Sequence, residues 1–284
     1  MEAAMSIHYS YIDAPNLFIQ HQNGKRYAYR ELGEKKGTPI ILLTHLSANL
    51  DNWDPRIIDG LAKSRWVIAF DNTGVGLSNG KVPNNIPQMA NDAITFIKLL
   101  GFLKVDLIAL SMGGMIAQEL ILKEPSLVRK LVLVGTGPRG GKGISNVTHI
   151  TNLDFVRAIL TFKDVKTYLF FPNTVNGKKK AKEFLIQIKK RKKHRDKTIS
   201  LRAYRMQLDA INKWGKDKHA DLSKIVQPTL IINGDHDRMV PTENSYDLAN
   251  RISDSKLKIF DHAGHGSLFQ YPNEFVEMVI TFLS

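Results

Sequence analysis

The chain has 284 residues, a formal charge of +13 and no cysteine. That length suits one large α/β domain with an insertion, or two small domains. Disulfides, zinc–thiolate sites and a cysteine nucleophile are excluded, and no apolar run approaches the roughly 18–20 residues that span a bilayer. Residues 1–10 have neither a basic start nor an apolar stretch, so no signal peptide is read there, and a cytoplasmic protein is expected. Asn23-Gly24 separates two short strand patterns, 16–20 and 26–31, and reads as a hairpin turn because both residues tolerate positive φ. Short apolar runs follow at 40–44, 67–70, 105–110, 131–134, 229–232 and 257–260, as expected of strands buried on both faces of a parallel sheet. Helical periodicity fills 86–100, where Gly101 ends the pattern, and 112–122, stopped before Pro125. Further helices are expected at 242–252 and 273–283.

Strands alternating with helices predict an α/β fold with right-handed crossovers. The alternation stops between about Gly137 and Val226. That stretch lacks strand signals, is too long for a plain loop, and reads as several helices, among them 178–195 and 200–212. The expected organisation is therefore a core of residues 1–137 and 226–284 with a helical cap at 138–225. The positive charge belongs to this insertion: residues 141–220 hold 20 Lys/Arg against 6 Asp/Glu, and the rest of the chain 20 against 21. A solvated helical surface explains such a run, as does attraction of anionic substrates or an anionic membrane surface. Nucleic-acid binding is disfavoured because no stacking aromatics alternate with the lysines. Nothing in the sequence sets the oligomeric state.

A serine stands where the run at 105–110 ends and the next helix begins, in Ala109-Leu110-Ser111-Met112-Gly113. A sharp strand-to-helix turn would lift its hydroxyl above the sheet, small neighbours would leave room for the turn, and the helix N-terminus would stabilise developing negative charge. An ordinary serine N-cap fits the same residues. Here the sequence resembles the α/β-hydrolase family, whose nucleophile elbow carries Gly-x-Ser-x-Gly. Ala109 replaces its first glycine.

The resemblance continues through residues 17–137 and 226–284. Gly234-Asp235-His236-Asp237-Arg238-Met239-Val240-Pro241 is similar to the family's acid loop, which implies Asp237 as the acid and leaves Asp235 as a turn carboxylate. Gly264-His265-Gly266 follows the last strand, which implies His265 rather than His262 as the base. His236, His262 and His265 could together suggest a metal site, but serine, acid and histidine in the family's order favour a triad. The oxyanion donors implied by position are the backbone N–H groups of Ser47 and Met112; His45-Leu46 stands where the family has His-Gly, and His45 is expected to brace the loop. Asp71 to Ser78 also matches a family pattern, and Gly74-Val75-Gly76 lacks the third glycine of a phosphate cradle.

Within the family the chain looks most similar to small esterases, enol-lactonases and cofactor-free haloperoxidases or perhydrolases, in Ser111-Met112-Gly113-Gly114 and in the Gly-rich stretch 135–141. A serine at the elbow separates it from haloalkane dehalogenases, which use an aspartate there. The resemblance implies a small-molecule ester or lactone substrate, no metal and no organic cofactor. A ligand-binding protein on the same scaffold is the alternative, since fold alone does not settle function.

Overall fold

The computed structural model describes residues 9–284, so most of the N-terminal stretch read for a signal peptide lies outside the described residues. Eight strands form one sheet: β1 (Leu17–Gln20), β2 (Arg26–Leu32), β3 (Ile40–Leu43), β4 (Val67–Phe70), β5 (Val105–Leu110), β6 (Val128–Val134), β7 (Thr229–Gly234) and β8 (Ser255–Phe260). Their order across the sheet is β1-β2-β4-β3-β5-β6-β7-β8. Only the pairings of β2 with β1 and β4 are antiparallel; from β4 to β8 every pair is parallel. The helices between the first strands and β7 are α1 (Pro55–Ala62), α2 (Ile86–Leu99), α3 (Met112–Lys123), α4 (Val147–Thr161), α5 (Lys166–Phe170), α6 (Val175–Ile188) and α7 (Leu201–Lys216). After β7 come α8 (Glu243–Arg251), α9 (Ser267–Gln270) and α10 (Pro272–Leu283).

The continuous apolar runs have a two-sided explanation. Successive strand side chains point to opposite faces. Ile41, Leu43, Leu107, Ala109, Leu131 and Leu133 pack on α2, α3 and α8 through Phe96, Ile116 and Leu248. Ile40, Leu42, Ile108, Leu110, Val132 and Val134 pack on α1 and α10 through Ile57, Leu61, Phe275 and Val279. Every residue of β3 and β5 is buried. Burying one such Leu or Ile is worth about 1.5–3 kcal/mol, so these two layers hold the central strands, and the loops at their C-terminal ends inherit a rigid base.

Some boundaries differ from the sequence reading. β6 begins at Val128, because Arg129 and Lys130 occupy strand positions while their charged ends reach out to Asp106 and to the chain's last carbonyls. α1, absent from the sequence reading, is only eight residues long but buries Ile57, Ile58 and Leu61 on one face; Pro55 at its first position and the Asp54 side chain, which accepts from Arg56 N–H at 2.9 Å, start it. Residues 138–225 hold no strand and form α4 to α7, but the expected helix at 178–195 is shorter than its charge run. α6 starts early, capped by Thr174 on Gly177 N–H at 3.0 Å, and stops at Ile188.

Beyond its end, Arg191 buries its guanidinium and donates to the carbonyls of Ile12 (2.9 Å) and Ala14 (2.8 Å). Arg195 approaches Asp51 at 3.3 Å, and Asp51 also accepts from Arg30 at 2.7 Å and from Asp196 N–H at 2.9 Å. Part of the basic run thus ties residues 191–196 to the N-terminal segment and to Asp51, while Lys192 and Lys193 stay exposed. Among the described residues, no helix is long and apolar enough to cross a membrane.

Candidate active site

Ser111 sits between β5 and α3 with φ 56° and ψ −117°. A non-glycine residue there is strained, and it persists because its surroundings over-determine it. Its N–H donates to Val134 O at 2.8 Å, and its own carbonyl accepts from Thr136 Oγ1 at 2.8 Å. A Cβ on Gly113 would run into the Leu43 carbonyl, so this glycine is what lets α3 approach β3. Ala109 is accommodated without exposure, packed in the layer beneath α3.

The acid loop follows β7. Asp237 Oδ1 accepts from Met239 N–H (2.8 Å) and Val240 N–H (3.0 Å), which turns Oδ2 toward His265. His265 Nδ1 lies 2.8 Å from that oxygen and Nε2 lies 2.9 Å from Ser111 Oγ. With Nδ1–H donating to the carboxylate, Nε2 is left to accept from the serine hydroxyl. All three residues are buried. Thus three loops, each leaving the C-terminal end of a different strand, bring these groups into one hydrogen-bonded chain.

Asp235 lies apart. It accepts from Ala263 N–H at 3.0 Å and pairs with His236 Nδ1 at 2.6 Å, as a turn carboxylate does. His262 is exposed, its ring 6.2 Å from that of His236. Among the described residues no group of three His, Cys, Asp or Glu side chains is placed to hold a metal ion.

His45 Nδ1 lies 2.8 Å from the Leu46 carbonyl, and the ring stands edge-on to Phe170 at 4.9 Å. Burial pushes its pKa down to about 3, which keeps the imidazole neutral. Its contacts are those of a loop brace. Met112 N–H, in the first turn of α3, is engaged by no backbone or side-chain acceptor among the described residues. Ser47, at φ 62°, differs from expectation: its N–H donates to the Gln207 amide oxygen at 2.8 Å. One of the two expected donors is therefore engaged within the protein in this conformation.

Above Ser111 lies a small cavity of about 60 Å³, well below the usual size of an occupied small-molecule site. Its floor includes Ser47, Ser111 and His265, and its roof includes Phe155, Leu169 and Tyr204 from α4, α5 and α7. Two residues outside the motifs matter here. Gly135 has φ +53°, and a Cβ there would lie 3.2 Å from His265 Nδ1, tighter than a side chain comfortably packs. Gln207 interrupts the buried face Ala203, Ala210, Ile211 and Trp214 of α7; a polar residue on an apolar helical face was the signal that could have found it.

The chain is 28% identical over 268 residues to a 2-hydroxy-6-oxo-6-(2'-aminophenyl)hexa-2,4-dienoic acid hydrolase of Metapseudomonas resinovorans, covering 92% of this chain and 88% of that protein. It superposes with a TM-score of 0.92 and 36% identity on an alpha/beta hydrolase fold protein from Chitinophaga pinensis, covering 97% and 99% of the two chains. The enol-lactonase from Burkholderia xenovorans LB400 shares the fold, with a TM-score of 0.73 and 19% identity over 94% of this chain and 99% of that one. The family described as alpha/beta hydrolase fold matches residues 38–272, and the chain belongs to that family.

Proposed function

We propose that this protein is a serine hydrolase that cleaves an ester or lactone bond of a small molecule. The observation that carries the reading is the chain Ser111 Oγ, His265, Asp237, with links of 2.9 and 2.8 Å. In this scheme Ser111 Oγ attacks the substrate carbonyl as His265 Nε2 takes its proton. Asp237 holds the ring and stabilises the imidazolium. The oxyanion is received by Met112 N–H and, once free, Ser47 N–H. His265 then protonates the departing alkoxide, leaving an acyl-serine. Water, deprotonated by the same nitrogen, attacks the acyl carbon and releases the acid; hydrogen peroxide in its place would yield a peracid. No step calls on a metal or an organic cofactor.

Residues 138–225 act as a cap that shapes the acyl and alcohol pockets, because α4, α5 and α7 supply the cavity's roof. Family membership and the hydrolase names of its relatives support hydrolysis in general. The Ser47–Gln207 bond favours a second reading, a ligand-binding protein with little turnover, since it occupies one expected donor. Hydrolysis of short p-nitrophenyl esters near pH 8, by wild type and Ser111→Ala together, decides between them. Turnover lost with Ser111 supports the hydrolase; tight ligand binding with no Ser111-dependent chemistry supports the second.

A further inference from the structure

The Ser47–Gln207 contact joins the two parts of the molecule at the most sensitive point of the site. Gln207 lies on α7, within the insertion, and has no solvent exposure. Its amide oxygen accepts from Ser47 N–H and from no other donor, Met112 included. Its amide nitrogen is buried with no hydrogen-bond partner. A side chain placed to satisfy its own polar atoms would pair both, as most buried amides do. Here one end is orphaned and the other is spent on an N–H that the proposed chemistry needs.

We propose that Gln207 is a latch on the oxyanion site: it holds Ser47 N–H in the resting protein, and productive binding requires the substrate carbonyl to take that N–H in its place. The inference rests on the serine-hydrolase reading. Gln207 is a positioning residue, acting through Ser47. Its place one turn after Tyr204, which faces the cavity, gives a route for release. A substrate that displaces Tyr204 also moves the helix face carrying Gln207. Ser47 itself is held at φ 62°, where a non-glycine residue stays only under restraint, so the loop is poised to rotate when the contact is lost. The latch makes the site selective for acyl groups large enough to press on α7. Small esters have to displace Gln207 using the carbonyl contact alone.

The test uses the full chain and short p-nitrophenyl esters, with wild type, Ser111→Ala, Gln207→Met, Gln207→Leu and Gln207→Glu. Met and Leu fill much of the same volume without an acceptor. A competing neutral hydrogen bond corresponds to about a fivefold change, so kcat/KM should rise about fivefold in both variants, carried mainly by a lower KM. Glu keeps an acceptor, stays latched and should not exceed wild type. Hydrogen exchange of the Ser47 amide gives a reading independent of turnover: protection in wild type, and loss of protection in Gln207→Met. A purely structural Gln207 would do the opposite, lowering kcat and the thermal midpoint together. Ser111-dependent turnover that neither Met nor Leu raises overturns the latch alone. The same Ser47 exchange rate in wild type and Gln207→Met also overturns it. Absence of Ser111-dependent turnover in wild type and both unlatched variants overturns the hydrolase reading and the latch with it.

Discussion

Asp237→Asn is the substitution that most directly probes the proposed chemistry. Asp237 is buried, and its Oδ1 is fixed by two backbone donors, Met239 N–H and Val240 N–H at 2.8 and 3.0 Å. An asparagine in this place must keep its carbonyl oxygen toward those two N–H groups, because its NH2 would face them donor to donor. Its Nδ2 is then turned toward His265 Nδ1, 2.8 Å away in the wild type. Two donors cannot share that gap, so His265 moves its proton to Nε2. A protonated Nε2 faces Ser111 Oγ as a donor and cannot receive the serine proton.

The side chain is isosteric and the backbone bonds survive, so stability should shift by less than about 1 kcal/mol while the base is disabled. The same tautomer change lowers kcat about 10⁴-fold in a serine protease, equivalent to roughly 5.4 kcal/mol at the transition state. The assay is kcat for p-nitrophenyl butyrate with a urea melt on the same samples. A loss in kcat under tenfold, in a protein of unchanged stability, would refute the assignment of Asp237 as the orienting acid.

Two further outcomes are expected. Arg191→Met should destabilise the fold by about 2–3 kcal/mol, since it strips a buried donor from the carbonyls of Ile12 and Ala14; Lys192→Ala and Lys193→Ala, on exposed side chains, should stay within about 0.5 kcal/mol in the same denaturant titration. His45 should contribute to acid sensitivity. Its pKa is depressed in the fold to about 3 against an unfolded value near 6.5, so between those limits the unfolded chain binds the extra proton. Stability from this group is complete above about pH 6.5 and falls with acidification by up to about 1.4 kcal/mol per pH unit. His45→Asn should flatten that slope between pH 6.5 and 5, and an unaltered slope in urea unfolding would show that the ring is not held neutral.

Much of this architecture was legible because the local code and the global fold agree. A strand buried on both faces has to be a continuous apolar run, so β3, β5 and β7 announced themselves. The elbow, acid loop and histidine loop each sit beside glycines or a proline that mark where the backbone turns. α1 was missed because eight residues with a Pro-led start present too short a period. The helix expected at 178–195 was overextended because charge has no period: Lys192 and Arg191 look alike in a sequence, yet one is solvated and the other is buried, donating to the carbonyls of Ile12, Ala14 and His194.

The sequence by itself determined the fold class, the order of the three chemical groups and the strand ends from which they project. These are written in local patterns of hydrophobicity and turn residues, within a few positions of each group. Distances between groups far apart in the chain are set by long-range packing, and so only the tertiary structure decided them. It placed His265 between Ser111 and Asp237 across separations of 154 and 28 residues. It also fixed Asp237 Oδ1 with two backbone amides so that Oδ2 faces His265, and brought Gln207 to Ser47 across 160 residues. A hydrogen bond depends on position to a few tenths of an ångström and on angle, and no local pattern carries that information over such spans.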